Sequence, residues 1–182
     1  MKKGQLLSRV LSLHPTSRGF AFVVLEGPNR IIDWGTTGVE GARIEVRAAF
    51  LMERYQPTLV TIENFAQNPH RGERGCGLLR RMQSFFIENS VPCRAVDPAI
   101  VGRVFPHRLN KYGRACRIAE WFSELTPRLP KARRPWTSEA HSMAIFDAVA
   151  IALAGLHERH GHLRDVSTIC LLCRTGPQDD CG

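Results

Sequence analysis

Long apolar runs are absent from this sequence. No stretch of its 182 residues approaches the roughly 20 consecutive apolar residues that a membrane span needs, so we expect no membrane partner. Polar side chains interrupt the segment Met1–Leu13 before an apolar run of signal-peptide length forms, and secretion is therefore not expected. Internal repeats and low-complexity tracts are absent as well. We expect one cytoplasmic domain whose cysteine thiols are reduced.

Lysine is also scarce, although the chain is strongly basic. Lysine and arginine together number 25 against 17 acidic residues, which gives a formal net charge of +8 and a pI near 9.7. The lysines are Lys2, Lys3, Lys111 and Lys131, so most of the positive charge belongs to arginine. Because the guanidinium group matches phosphate bidentately and stacks on bases, this composition favours nucleic acid as a partner. A solvated basic surface is the alternative.

The predicted elements follow the order strand, strand, strand, helix, strand, helix, strand and then helices. The predicted strands are Leu7–Leu13, Gly19–Leu25, Ile31–Trp34, Leu59–Glu63 and Cys93–Val96. Turn residues join the second and third strands, and a right-handed crossover sets strand four beside strand one. This α/β order resembles the RNase H-like fold, a five-stranded mixed sheet with an antiparallel meander of three strands plus two parallel strands, flanked by helices. We assign residues 1–158 to this domain and residues 159–182 to a C-terminal tail.

Three side chains from distant segments are predicted to meet at one edge of this sheet. His14 and Glu63 end neighbouring strands, and Asp147 lies in the final helix, which we predict from Glu139 to about Leu156. An unpaired buried carboxylate is costly, so Glu63 at the end of an apolar strand indicates function more than structure. His14 has the alternative role of bonding a loop. Glu139 is a fourth candidate catalytic residue, although a carboxylate in a first helical turn also favours the helix dipole.

Three segments carry a resemblance to a known family: the strand end around His14, Thr61–Phe65 and the helical segment Phe146–Ala154. Together they resemble RuvC-type Holliday-junction resolvases over most of the chain. The resemblance implies the RNase H-like fold, a homodimer, Mg²⁺ or Mn²⁺ as cofactor, and cleavage of branched DNA. Such cleavage uses two divalent ions about 4 Å apart. The resemblance also implies that Glu63 and Asp147 are metal-binding catalytic carboxylates.

Two acids of the family pattern are missing. The strand-one aspartate falls on His14, and the first aspartate of the final helix falls on Ala144. With the His14 imidazole taken as a ligand in place of the missing aspartate, the candidate metal ligands are Glu63, Asp147 and His14. Because imidazole suits Mn²⁺ better than Mg²⁺, we expect a weak site and any activity to be greater in Mn²⁺. Glu139 does not restore the lost acid, since eight helical residues place it about 12 Å from Asp147 along the helix axis.

Two groups of arginines and one pair of cysteines complete the candidate sites. The nucleic-acid-binding candidates are Arg71, Arg74, Arg80 and Arg81 after the fourth strand, with Arg114 and Arg117 further along. In the tail, Cys170 and Cys173 have the two-residue separation of a zinc knuckle. A second paired knuckle is absent, and Leu171 and Leu172 fit a packed segment, so we expect no zinc there.

Three functions are compatible with these features. The leading hypothesis is a RuvC-like nucleic-acid-binding protein that is a candidate metal-dependent endonuclease on branched or structured DNA. The first alternative is a catalytically inactive nucleic-acid-binding module of the same fold, and the second is a protein-interaction scaffold. Fold alone does not separate them. Cleavage distinguishes the first from the second, and salt-sensitive DNA binding distinguishes both from the scaffold.

Overall fold

The computed structural model describes residues 8–38, 43–64, 66, 72–105, 109–132 and 139–159. Its strands are β1 (Arg9–Thr16), β2 (Gly19–Glu26), β3 (Ile31–Thr37), β4 (Leu59–Glu63) and β5 (Cys93–Val96). Its helices are α1 (Arg43–Tyr55), α2 (Glu73–Glu88), α3 (Pro98–Val104), α4 (Lys111–Trp121) and α5 (Met143–Arg159), with a short 3-10 helix at Ser123–Arg128. None of the helices in these ranges has the length and apolar character that a membrane span needs.

The five strands form one mixed sheet in the order β3-β2-β1-β4-β5. β1, β2 and β3 pair with antiparallel neighbours, whereas β4 runs parallel to both β1 and β5. This arrangement confirms the predicted RNase H-like sheet, in which an antiparallel meander of three strands is extended by the two parallel strands β4 and β5. β1 is the central strand, with an antiparallel neighbour on one side and a parallel neighbour on the other.

Each face of the sheet is covered by its own layer of helices, because alternate strand residues point to opposite sides. On one face, Val10, Val23 and Leu59 belong to a core built with α3, α4 and α5. On the other face, Leu11 and Val60 belong to a core built with α1 and α2. The helix α5 is the most deeply embedded element of the first layer, since all of residues 148–156 are buried.

A glycine lets α5 approach the sheet closely. A Cβ atom at Gly155 would lie 2.4 Å from Cγ2 of Thr61, a fully buried residue of β4. Real Cβ contacts do not reach that distance, so only glycine permits this crossing. Asp147 precedes Gly155 by about two helical turns, and the contact therefore also fixes the height of Asp147 above the sheet.

β1 and α5 differ from the sequence prediction at the ends nearest the candidate site. β1 extends to Thr16 instead of ending at Leu13, because its antiparallel pairing with β2 continues up to the pair Thr16 and Gly19. The helix α5 begins at Met143 instead of Glu139, and a turn in which the Met143 amide donates to the carbonyl of Ala140 precedes it. Both differences alter the surroundings of the predicted catalytic residues.

Candidate functional site

The parallel ladder between β1 and β4 ends immediately before two of the candidate residues. Leu13 pairs with Ile62 at the last position of this ladder, so His14 and Glu63 are the next residues on the two strands. Side chains alternate along a strand, and both residues therefore face the layer that contains α5. The carboxyl ends of the strands beside a topological switch point are where ligands bind in open sheets.

His14 lies between two carboxylates. Its Nδ1 is 3.8 Å from Oε2 of Glu63, and its Nε2 is 3.5 Å from Oδ2 of Asp147. The side chains are largely buried, with exposed fractions of 12% for His14, 10% for Glu63 and 14% for Asp147. The structure therefore brings together three predicted site residues that come from two strands and one helix.

A lysine that the sequence did not assign to this site extends the cluster. Lys111 is the first residue of α4, and its Nζ lies 2.8 Å from Oδ2 of Asp147 and contacts Oε1 of Glu139. Asn110 caps α4 by accepting a hydrogen bond from the Gly113 amide at 2.7 Å, which fixes where the helix begins. An N-cap asparagine directly before a lysine is the sequence signal for this placement.

Glu139 also belongs to the cluster, although helical spacing did not predict this. The prediction that a helix separates Glu139 from Asp147 by about 12 Å was wrong, because residues 139–142 are not helical. The two carboxylates instead contact the same ammonium group of Lys111. All four predicted catalytic residues thus belong to one cluster, and Lys111 is its fifth member.

The ion pairs of Lys111 set its protonation state. Burial is the largest single effect and lowers the pKa of Lys111, but Asp147 and Glu139 together outweigh it through Coulombic attraction and hydrogen bonds. The pKa of Lys111 therefore lies above its ordinary value of 10.5. At neutral pH the side chain is an ammonium cation that offsets carboxylate charge in the cluster.

The resemblance implies Mg²⁺ or Mn²⁺, and the cluster as arranged does not fit such an ion held jointly by His14, Glu63 and Asp147. The two nitrogens of an imidazole point to different sides of the ring, and here each faces a different carboxylate. The ammonium of Lys111 also places a positive charge 2.8 Å from Oδ2 of Asp147, where it opposes a second cation. Within the described ranges, no group of three His, Cys, Asp or Glu side chains is arranged to hold a metal ion.

A small cavity of about 100 Å³ opens beside the cluster. It is lined by His14, Glu63, Val96, Pro98, Val101, Arg114, Asp147, Ala150 and Ile151. Arg114 is the basic side chain of this lining, and it forms no ion pair with any residue that the structure describes. A guanidinium that lines such a cavity can bind a phosphate through two parallel hydrogen bonds.

The other predicted arginines are not brought to this cavity. Arg74, Arg80 and Arg81 are exposed on α2, which covers the opposite face of the sheet. Arg81 donates to Oε1 of Glu45 from Nε at 2.9 Å and from Nη2 at 2.5 Å. Arg117 is on the same helix as Arg114 but pairs with Glu120 at 2.8 Å. Arg71, Cys170 and Cys173 lie outside the described residues, so the predictions made for them stay predictions.

Comparison with known proteins identifies the architecture. No protein-family model matches this chain, and no curated protein matches it. RuvC of Thermus thermophilus is similar with a TM-score of 0.60 at 21% identity, over 84% of this chain and 96% of that one. T. thermophilus RuvC in complex with a Holliday junction substrate gives 0.61 at 20% identity, over 85% and 96%. Fowlpox virus resolvase in complex with Holliday junction DNA gives 0.52 at 14% identity, over 82% and 99%. This chain therefore has the fold of the RuvC-like Holliday-junction resolvases.

Proposed function

We propose that this chain binds branched DNA beside the carboxylate cluster and that the cluster does not support two-metal cleavage. The observation that carries the proposal is the position of the His14 ring, 3.8 Å from the Glu63 oxygen and 3.5 Å from the Asp147 oxygen. A ring in that place prevents the two carboxylates from sharing an ion. The proposal corresponds to the inactive nucleic-acid-binding module among the three functions considered from the sequence.

The net charge of the chain and its similarity to solved resolvase structures support the DNA-binding part of the proposal. Two of the similar structures contain Holliday junction DNA. The chain carries a formal net charge of +8, mostly from arginine. Arg114 stands at the cavity with no acidic partner among the described residues, so its guanidinium is available to a backbone phosphate. Contacts of this kind position a protein on DNA without reading sequence, which suits recognition of a branched shape.

A metal-dependent endonuclease is the second candidate, and one observation favours it. Glu63 and Asp147 line the same cavity although they come from a strand and a distant helix. Convergent carboxylates of this kind are what phosphodiester hydrolysis by metal ions requires. This candidate needs the His14 ring to leave the space between the two carboxylates. Its expected signature is weak cleavage that is greater in Mn²⁺ than in Mg²⁺.

A synthetic four-way junction tests binding and cleavage together. A labelled junction and a linear duplex of the same sequence are incubated with the protein in EDTA, Mg²⁺ or Mn²⁺. The samples are then resolved on native and denaturing gels. We expect a preference for the junction over the duplex in all three conditions and no cleaved strands in any of them.

The variant Glu63→Gln is the control for cleavage, because it removes one carboxylate charge with little change in shape. Cleavage by the natural chain that disappears in Glu63→Gln would establish the endonuclease and refute the non-catalytic part of the proposal. Cleavage that persists equally in the variant identifies a contaminating nuclease, and the proposal then stands. Failure to bind the junction even at low salt would refute the DNA-binding part and favour the protein-interaction scaffold.

A further inference from the structure

We infer that Lys111 is a built-in cation, whose ammonium group takes the place of a divalent ion between Asp147 and Glu139 and keeps such ions out of the cluster. The inference deepens the proposed function and rests on it, since it explains why a site with several carboxylates does not recruit a metal. It assigns a role to a residue that neither the sequence motifs nor the resemblance placed at the site.

The ammonium group of Lys111 bridges two carboxylates. Its Nζ lies 2.8 Å from Oδ2 of Asp147 and also contacts Oε1 of Glu139, which comes from the non-helical segment before α5. A cation that joins oxygens from two separate segments is the arrangement that a hard metal ion adopts among protein carboxylates. The single charge of the lysine therefore performs the bridging that a divalent ion performs elsewhere.

One oxygen atom is covered from two sides. Oδ2 of Asp147 faces Nζ of Lys111 at 2.8 Å and Nε2 of His14 at 3.5 Å. The Asp147 side chain is only 14% exposed, so little of its surface remains for an incoming ion. An ion that bound this oxygen would have to displace the lysine or the histidine, and it would leave a charged ammonium near itself.

A second lysine provides a matched comparison. Lys111 and Lys131 line the same neighbouring cavity of about 310 Å³, which also includes Glu139. Lys131 forms no ion pair with the carboxylates of the cluster or with any other described residue. The variants Lys111→Met and Lys131→Met therefore remove the same charge from nearly the same region, but only the first uncovers Asp147.

The inference is tested by measuring the affinity of the full chain for Mn²⁺ without DNA. Electron paramagnetic resonance monitors the binding. We expect the natural chain and Lys131→Met to bind Mn²⁺ weakly and alike. We expect Lys111→Met to bind it at least roughly tenfold more tightly, because one like charge a few ångströms from the ion is removed. Adding Asp147→Asn to Lys111→Met should abolish the gain, since the uncovered ligand is then lost.

Two results would overturn the inference: equal Mn²⁺ affinity in Lys111→Met and the natural chain, or an equal gain in Lys131→Met. If Lys111→Met does not fold, the double variant Lys111→Met with Asp147→Asn is examined by circular dichroism. Recovery of folding in the double variant supports the inference, because the Asp147 carboxylate that lost its ammonium partner has been replaced by a neutral amide. Failure to recover contradicts the inference. Junction binding is measured separately, so the proposed function and this inference fail independently.

Discussion

His14 differs in shape as well as in charge from the carboxylate that the family pattern has at this position. Where the family pattern places a carboxylate that can bind a metal ion, this chain has a ring whose nitrogens face Glu63 and Asp147 in different directions. The second departure is Ala144, three residues before Asp147 on α5 and partly exposed. Positions three apart on a helix are neighbours on its surface. Restoring acids at both positions therefore adds oxygen ligands beside Asp147.

The double variant His14→Asp with Ala144→Asp is expected to bind Mg²⁺ more tightly than the natural chain, even with Lys111 still paired with Asp147. Four carboxylates then supply the hard oxygen ligands that Mg²⁺ requires. Isothermal titration calorimetry with Mg²⁺ measures the change, and we expect His14→Asp alone to give a smaller gain. Ala144→Asp alone is the control, because the His14 ring still separates Glu63 from Asp147. Tight binding of Mg²⁺ by the natural chain would show that neither position is a deficit.

The helix α5 connects local packing to the candidate site. Its residues 148–156 are buried between the sheet and the helices α3 and α4, and Gly155 lies directly over Thr61. The same helix carries Asp147 about two turns earlier, on the side that faces the cavity. A change that displaces α5 at Gly155 is therefore expected to shift the Asp147 carboxylate relative to His14 as well.

Gly155→Ala is expected to destabilise the protein by about 1–3 kcal/mol, the usual cost of overpacking a close-packed core. The new methyl group would meet Cγ2 of Thr61 at 2.4 Å, and both residues are buried. Thermal or urea unfolding followed by circular dichroism measures the loss. Adding Thr61→Ser, which removes the Cγ2 atom, should recover much of it.

The control for this substitution is Gly77→Ala in α2, where no atom lies within 4 Å of the added Cβ. Alanine is the better helix former, so this variant should stabilise the protein by about 0.5–1 kcal/mol. Destabilisation of equal size in both variants would mean that the close approach of α5 to β4 is not the cause.

Sequence patterns predicted most elements of this fold. β4 and β5 were predicted with the bounds that the structure shows. The start of α3 agrees with the preference of aspartate for the N-cap and of proline for the first helical turn, since the Asp97 side chain accepts a hydrogen bond from the Ala99 amide and Pro98 follows it. The start of α5 was predicted at Glu139 and was wrong by four residues, since apolar spacing does not show where the preceding turn ends.

The site was predicted less completely than the fold, and the reason is physical. Glu63 and His14 follow from strand ends, and Asp147 follows from an acid on an otherwise apolar helix face. The meeting of Lys111 with Glu139 depends on how the start of α4 packs against the non-helical segment that precedes α5. Local propensity carries no information about such contacts. The direction of the His14 ring is likewise a tertiary property.

Among the described residues, two arginines at the far end of the sheet and one at the cavity end differ in whether a carboxylate pairs with them. Far from the cavity, Glu26 accepts hydrogen bonds from Arg9 at 2.8 Å and from Arg30 at 2.7 Å. The hydrogen bond from Arg9 is the main cause that lowers the pKa of Glu26, so this acid stays ionised and balances the arginines. At the cavity end, Arg114 has no such partner among the described residues. The homodimer implied by the resemblance stays a prediction.

Arg114→Ala is expected to weaken binding to branched DNA and to reduce its dependence on salt. Each lost phosphate contact lowers the slope of log affinity against log salt by about one. The measurement is a series of binding titrations over increasing salt. Arg30→Ala is the matched control, because it removes the same charge at the far end of the sheet, where Arg30 is paired with Glu26. Equal losses in the two variants would mean that only net charge matters.

The central position of α5 also sets the order in which this chain can fold. The helix follows all five described strands in the sequence, yet it covers the face that contains Val10 and Val23. A nascent chain synthesised only through α4 therefore presents an incompletely covered apolar face, which favours aggregation or chaperone binding. Asp147 reaches His14 only when α5 docks. Within the described residues, the carboxylate cluster therefore forms only after α5 has been synthesised and has packed on the sheet.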